Sequence, residues 1–187
     1  MELDLRDKVY LVAAASRGLG YGIAHCLAEE GACLSIGSRT EKDILSAADR
    51  IRGDTGAELR GYSLDMQDGD SIARWVQDTL ADFGRIDGVV VNAGGPPTGK
   101  FEDFSDSQWQ SAFELTLLSA VRLIRQALEP LKSSGGSVLT LTSISVREPV
   151  DILLLSNVMR SAVVSLVKSL SREFAPYGIR VNNIIPG

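Results

Sequence analysis

The residues of this chain best suited to chemistry form a glycine-rich turn near its N-terminus. The turn follows an apolar run at residues 9–12 and reads Ala13-Ala14-Ala15-Ser16-Arg17-Gly18-Leu19-Gly20. Glycine at positions 18 and 20 lets the backbone approach phosphate oxygens, and the N–H groups at the start of the following helix stabilise an anion. Such strings also occur in ordinary tight turns, but the strand before this one and the helix after it favour a seat for the diphosphate of a dinucleotide.

Three further polar groups follow apolar runs of strand length. Ser38-Arg39 ends the second run, about where the ribose of an adenosine would lie, and the other two groups are Asn92-Ala93-Gly94-Gly95 and Thr142-Ser143. In an open parallel sheet, ligands bind beyond the carboxyl ends of the strands, where the strand order reverses. We therefore expect these groups to converge on one edge of the sheet.

The elements that position these groups alternate between strands and helices. Apolar runs occupy residues 9–12, 33–36, 59–64, 88–91, 138–141 and 180–185, and the segments between them have helical periodicity. Near-continuous apolar strands suit a parallel sheet that is buried on both faces. The pattern predicts an α/β fold, a Rossmann-type doubly wound parallel sheet with helices on both faces, which makes a three-layer sandwich.

Two long helices are predicted in the second half of the chain. The first begins after Ser105 and runs to residue 131, with Pro130 and the glycine pair at 135–136 marking its end. One stripe of this helix carries large apolar residues at four-residue spacing, namely Trp109, Phe113, Leu117 and Val121. The second helix is predicted over residues 156–174.

Length and charge limit the classes of function. A chain of 187 residues with 44% hydrophobic content can bury one core, so we expect a single domain over residues 1–187. The net charge of −5 argues against nucleic acid, which needs a basic face. The apolar stretches are far shorter than a membrane span, and the acidic start is unlike a signal peptide. We predict a cytoplasmic protein without a nucleic-acid or membrane partner.

The cysteines and the single histidine do not form a site. Cys26 and Cys33 lack the close pairing of a metal or redox motif, so we expect both to be buried, reduced thiols. His25 lies within the first predicted helix, away from the strand ends. A Ser/His/Asp triad and a histidine-rich zinc site are therefore disfavoured, and no metal is predicted.

From about Leu5 to Gly187 the chain resembles the short-chain dehydrogenase/reductase family. The family's TGxxxGxG motif corresponds to residues 13–20, its NAG motif to Asn92-Ala93-Gly94, and its PG motif to Pro186-Gly187. The resemblance implies that a dinucleotide is held by Ala14, Ser16, Arg17, Gly18, Leu19, Gly20, Arg39, Asp65, Asn92, Ala93, Gly94, Arg160, Pro186 and Gly187. Asp65 would accept a hydrogen bond from the adenine, although it could instead cap the helix predicted from Asp68. Asn92 would brace the central strands.

The charge at the end of the second strand bears on the choice of cofactor. A carboxylate there would favour NAD and repel the 2′-phosphate of NADP. Arg39 occupies this place instead, and Arg17 in the turn can give the same phosphate a second guanidinium. The sequence therefore favours NADP, and NAD remains open if both arginines are only solvated surface charges.

The resemblance also places the catalytic positions. Family members use a serine, a tyrosine thirteen residues later and a lysine four beyond it, with an asparagine in the preceding long helix. Here Ser143 keeps the serine, whereas Ser156, Arg160 and Thr116 occupy the other positions. A serine hydroxyl is a much weaker acid than a phenol, and arginine does not give up a proton at neutral pH. By resemblance, Ser143 would polarise a carbonyl, Ser156 would position the proton source and Arg160 would hold the ribose.

Two functions follow from these residues. One is an NADP-dependent oxidoreductase acting on a small, fairly apolar carbonyl or secondary alcohol; the other is a dinucleotide-binding protein without turnover, such as a sensor or an assembly subunit. Residues 147–155, with a run of leucines, would either line the substrate pocket or cover the core. The two long helices resemble those through which family members pair, so we expect a homodimer or homotetramer.

The sequence stops at Pro186-Gly187, where family members usually continue through a lobe that covers the substrate. We therefore expect this lobe to be absent from the 187 residues, which fits either a shortened protein or a sequence that omits the remainder.

Overall fold

The computed structural model describes residues 3–187, in which strands and helices alternate. The strands are β1 (Val9–Ala13), β2 (Cys33–Ser38), β3 (Leu59–Ser63), β4 (Gly88–Val91), β5 (Ser137–Leu141) and β6 (Arg180–Ile184). The helices are α1 (Gly18–Glu29), α2 (Glu41–Thr55), α3 (Gly69–Phe83), α4 (Asp106–Phe113), α5 (Ser119–Gln126), α6 (Leu128–Ser134) and α7 (Leu154–Glu173). All six strands predicted from the apolar runs are confirmed.

The strands form one parallel sheet in the order β3-β2-β1-β4-β5-β6. The central register places Val12 of β1 opposite Ile36 of β2 on one side and Val90 of β4 on the other. Successive strands are added on one side of β1 as far as β3 and on its other side from β4 onward. This reversal of the strand order opens a crevice between β1 and β4 at their carboxyl ends. The predicted doubly wound parallel sheet is confirmed.

Helices cover both faces of the sheet. On one face, Val12 and Ile36 lie in a buried cluster with alanines and isoleucines of α1 and α2, such as Ile44. On the other face, Leu11 and Val89 belong to a cluster that α3, α5, α6 and α7 complete. Because each strand is covered on both sides, apolar residues occupy consecutive positions rather than alternating with polar ones.

The first predicted long helix is interrupted. A π-helical turn over Glu114–Leu118 separates α4 from α5, and α6 follows after Ala127. Pro130 lies in the first turn of α6, where proline is tolerated, so it does not end the helix; Gly135, at φ +61°, does.

The large apolar stripe of this segment is not its buried face. Small residues one position earlier in the chain face inward instead, namely Ala112, Thr116 and Ala120, and Leu123 is buried beyond them. Trp109, Phe113, Leu117 and Val121 are only half-buried. Small side chains let the helical segment pack closely against the core of the protein. The large side chains therefore lie at the edge of this packed face, partly exposed to solvent.

The cysteines and His25 lie apart from the carboxyl edge of the sheet. Cys26 is exposed on α1, so the prediction that both thiols are buried is wrong for this residue, and Cys33 meets it only in part. Cys33 is half-buried, and burial raises the pKa of its thiol. The Nε2 atom of His25 lies 3.4 Å from Oδ2 of Asp54, and its Nδ1 atom lies 3.6 Å from Oε2 of Glu29. Across residues 3–187, no three His, Cys, Asp or Glu side chains are grouped as metal ligands.

Within the described part of the chain, no helix is both long and apolar enough to cross a bilayer.

The turn between β1 and α1 is packed against the end of β4. A Cβ atom at Gly20 would lie 2.4 Å from the carbonyl oxygen of Ala14 and 3.0 Å from Nδ2 of Asn92. The Asn92 amide donates a hydrogen bond of 3.4 Å to the same carbonyl. Ala14 has a φ of +51°, which is uncommon for a residue with a side chain. Only glycine fits at position 20 without moving the backbone.

Two alanine substitutions on α1 should therefore have opposite effects. Gly20→Ala should lower the free energy of unfolding by about 1–3 kcal/mol, because the new methyl group meets backbone atoms. Gly22→Ala, where a Cβ meets nothing within 4 Å, should raise it by about 0.5–1 kcal/mol through helix propensity. Urea unfolding of both variants measures the difference, and equal effects would contradict the close packing at Gly20.

Candidate functional site

A cleft of about 460 Å³ opens at the carboxyl edge of the sheet. The loops that follow β1, β2, β3 and β4 form its walls, and it lies over the point where the strand order reverses. Its lining residues are Ala14, Ser16, Arg17, Gly18, Ser38, Arg39, Thr40, Asp43, Leu64, Asp65, Met66, Asn92, Ala93, Gly94, Gly95 and Leu115.

A groove of about 600 Å³ lies at the opposite edge of the sheet. It is larger, but its lining includes the carboxylates Asp4, Asp7, Glu29, Glu30 and Glu58. Because these charges would repel a diphosphate, the groove does not suit a dinucleotide. The smaller cleft is the better candidate.

Most of the residues predicted to hold a cofactor lie on the wall of the cleft. Five do not. Leu19 is 58% exposed and Gly20 is buried beneath the turn. Pro186 and Gly187 follow β6, where the Pro186 carbonyl accepts a hydrogen bond of 2.8 Å from the Ile144 amide. Arg160, the fifth, lines a separate small cavity.

One end of the cleft is the N-terminus of α1. Arg17 is the residue before the helix, with an extended backbone, and Gly18 begins it at φ +62°. The first turn contains no acidic side chain, so nothing in it offsets the positive end of the helix dipole. Arg17 itself is exposed. This end has the geometry and charge to receive a phosphate group.

The other end of the cleft lies beyond β2. Arg39 and Thr40 are exposed, and Arg39 forms no ion pair with another residue of the described chain. Ser38 is buried, and within residues 3–187 its Oγ has no hydrogen-bond partner. Thr40 and Asp43 were missed from sequence, although the start of α2 directly after β2 places its first turn beside Arg39.

Asp65 lies on the wall of the cleft and does not cap a helix. Its Oδ1 accepts a hydrogen bond of 2.9 Å from the Gln67 amide, and its side chain is exposed. The cap of α3 is Asp68, whose carboxylate accepts from the Asp70 amide at 2.9 Å. Of the two interpretations of Asp65, the helix cap is therefore wrong.

Arg160 connects α7 to the end of β5. Its Nε donates to Ser156 Oγ at 3.1 Å, and its Nη1 donates to the carbonyl oxygens of Leu141 at 3.0 Å and Thr142 at 3.3 Å. Burial lowers the pKa of the guanidinium. The predicted spacing thus brings Ser156 and Arg160 into direct contact, and Arg160 is bonded to Thr142, the residue before Ser143.

Ser143 caps a short 3-10 turn, Ile144–Val146, and its Oγ accepts a hydrogen bond of 3.2 Å from the Ser145 amide. Thr116 lies in the π-helical turn and, with Arg160, lines a cavity of about 10 Å³. Its hydroxyl is buried and has no partner in the described part of the chain. Single π-helical turns are frequent at functional sites, and no sequence pattern indicated this one.

The loops beyond β4 and β5 contact each other. The Gly99 amide donates to the Ile152 carbonyl at 2.7 Å, and Gly99 bridges to Leu153. Of the leucine run, Leu155 is fully buried in a cluster around Ala112, so it covers the core. Ile152 is exposed instead. The apolar wall predicted from this segment is therefore divided between core and surface.

Comparison with known proteins agrees with this geometry. Residues 13–187 match the family model described as enoyl-(acyl carrier protein) reductase. The human protein dehydrogenase/reductase SDR family member 4 is 32% identical over 186 residues, which cover 98% of this chain and 66% of the relative.

Two solved structures share the fold at low sequence identity. L-sorbose reductase from Gluconobacter frateurii, complexed with NADPH and L-sorbose, has a TM-score of 0.97 and 28% identity, over 100% of this chain and 72% of that one. The NADPH-bound short chain oxidoreductase from Pseudomonas aeruginosa PAO1, which contains an atypical catalytic centre, has a TM-score of 0.93 and 27% identity, over 97% and 72%. This chain belongs to the short-chain dehydrogenase/reductase family.

Proposed function

We propose that the protein is an NADP(H)-dependent oxidoreductase that transfers hydride between the nicotinamide and a small carbonyl compound or secondary alcohol. The observation that carries this proposal is the cleft at the β1/β4 crevice, with an uncompensated helix N-terminus at one end and Arg39 at the other. Two structural relatives named above were solved with NADPH, which supports the same cofactor here.

The residues of the cleft fit this cofactor. The amides around Ser16 and Gly18 suit the diphosphate, and Arg17 and Arg39 suit a 2′-phosphate. Asp65, exposed on the wall, is placed to accept from the adenine amino group. The remaining proposed contacts are Ala14, Leu19, Gly20, Asn92, Ala93, Gly94, Arg160, Pro186 and Gly187.

When bound, the nicotinamide supplies or accepts the hydride. Ser143, at the end of β5, polarises the carbonyl oxygen through its hydroxyl. Ser156 and Arg160, on α7, are bonded to each other, and Arg160 is bonded to Thr142, the residue before Ser143; the pair positions the proton source. Because Nε and Nη1 of Arg160 are already bonded within the protein, only Nη2 is left to contact a ribose hydroxyl.

The first test separates binding from turnover. NADPH binding is followed by fluorescence, and NADPH oxidation is then followed with L-sorbose, acetoacetyl-CoA and a panel of simple ketones. We expect saturable NADPH binding and oxidation with at least one of these acceptors. Binding without oxidation by the full chain would instead support a dinucleotide-binding protein without turnover.

The choice of cofactor depends on Arg39. Arg39→Ser should raise the Kd for NADPH by about tenfold or more and leave the Kd for NADH nearly unchanged, because a charge-assisted hydrogen bond to the 2′-phosphate is lost. Arg50→Ser, on α2 where Arg50 stacks on Tyr21, removes the same charge outside the cleft and serves as the control. Equal effects on both cofactors would contradict a role for Arg39 in phosphate recognition.

We propose that the protein forms a homodimer or homotetramer through the half-buried apolar residues of its long helices, including Phe113 and Val121. Sedimentation at micromolar concentration should give at least the mass of a dimer. Val121→Glu should shift the profile toward monomer, whereas Gln126→Glu, exposed on the same helix, should not. A monomeric wild-type profile would contradict the proposal.

The two unpaired thiols support a cytoplasmic location, which we propose as well.

A further inference from the structure

We propose that Arg160 is a positioning residue that holds the Ser156 hydroxyl and the end of β5 that leads into Ser143, so that both serine hydroxyls donate toward the reacting carbonyl oxygen. In this mechanism the oxygen is stabilised as an oxyanion, and water rather than a side-chain acid supplies the proton. The inference rests on the proposed reductase function and concerns how the same site works without a phenol or an ammonium group.

The guanidinium is fixed at two places. Nη1 is bonded to the carbonyls of Leu141 and Thr142, the last residues before Ser143, and Nε is bonded to Ser156 in the first turn of α7. Since the guanidinium is planar and rigid, these three bonds set the position of Ser156 relative to the end of β5. A flexible lysine ammonium would not impose the same geometry.

The bonds also determine the direction in which each hydroxyl can donate. Ser156 Oγ accepts from the Arg160 Nε–H, and Ser143 Oγ accepts from the Ser145 amide. Neither hydroxyl donates to a group within residues 3–187. Each therefore keeps its proton for a ligand, and Ser156 becomes a stronger donor because its oxygen accepts from a cation.

No group around the guanidinium titrates near neutral pH. The residues that line the cavity with it include Val91 of β4, Thr116 of the π-helical turn, Thr140 of β5 and Val163 of α7, none of which ionises. Burial lowers the pKa of Arg160 with no carboxylate acting on it, yet arginine stays charged over the accessible pH range. The site thus holds a permanent positive charge.

The reaction balances without a side-chain acid. Hydride transfer to the carbonyl carbon moves the π-electron pair onto oxygen, where the two hydroxyls and the nearby positive charge stabilise the developing anion. A water molecule then gives a proton to this oxygen, and the hydroxide that remains takes a proton from solvent. The net change is one NADPH, one carbonyl and one proton converted to NADP⁺ and an alcohol.

The pH dependence of kcat for NADPH oxidation tests the mechanism, with the acceptor that the wild type turns over. Wild-type kcat should be flat between about pH 6 and 9, since no group at the site titrates there. Arg160→Lys places an ammonium in the same half-buried position, where desolvation lowers its pKa. Its kcat should therefore fall as pH rises through that pKa, because the charge is lost.

Ser156→Ala supplies a second readout. It should lower kcat by about 10²–10³-fold, as for the loss of one oxyanion donor, with the NADPH Kd changed less than about twofold. Ser161→Ala, exposed on the same helix, should leave kcat unchanged.

An ionisation in the wild-type profile within this range, a flat profile for Arg160→Lys, or an unchanged kcat for Ser156→Ala would overturn the inference while leaving the reductase proposal intact. Absence of turnover by the wild type with every acceptor would overturn both.

Discussion

The close contact between the β1–α1 turn and the end of β4 is the constraint on which the site depends. Gly20 permits the turn to lie against the Ala14 carbonyl, and Asn92 bonds to that same carbonyl. Two loops that are far apart in sequence are thereby held at one edge of the sheet. The cleft lies above this contact, so the end formed by the N-terminus of α1 and the central wall are fixed by the same few atoms.

The second constraint is electrostatic. Arg160 is half-buried and has no carboxylate partner, which is costly unless its N–H groups are bonded. Here two backbone carbonyls at the end of β5 and one serine hydroxyl take up those bonds. The positive charge therefore remains uncompensated at the end of β5, beside the residue that precedes Ser143. An ion pair in the same position would cancel that charge.

The overall charge of the protein is opposite in sign to the local charge of Arg160. The chain carries a net charge of −5, and the groove opposite the cleft is lined by carboxylates. Within the cleft, Arg17 and Arg39 lie with the positive end of α1, although Asp43 and Asp65 share the wall. Recognition of a phosphorylated dinucleotide by such a protein depends on local donors and not on the overall field.

The sequence by itself determined the strands, the parallel sheet and the turn that begins α1. These features depend on local periodicity and on residues adjacent in the chain, as in the apolar run before Gly18. The spacing of Ser143, Ser156 and Arg160 had meaning only through the family resemblance. Because parallel strands end at a common edge, sequence also indicated most of the wall of the cleft.

Only the tertiary structure decided where the π-helical turn forms and that small residues around Thr116 face inward. It also decided that Cys26 is exposed, that Asp43 lies on the wall of the cleft and which groups Arg160 is bonded to. Each of these depends on contacts between segments distant in sequence. Packing between helices and the competition for backbone carbonyls set such contacts, and neither leaves a periodic signal in the chain.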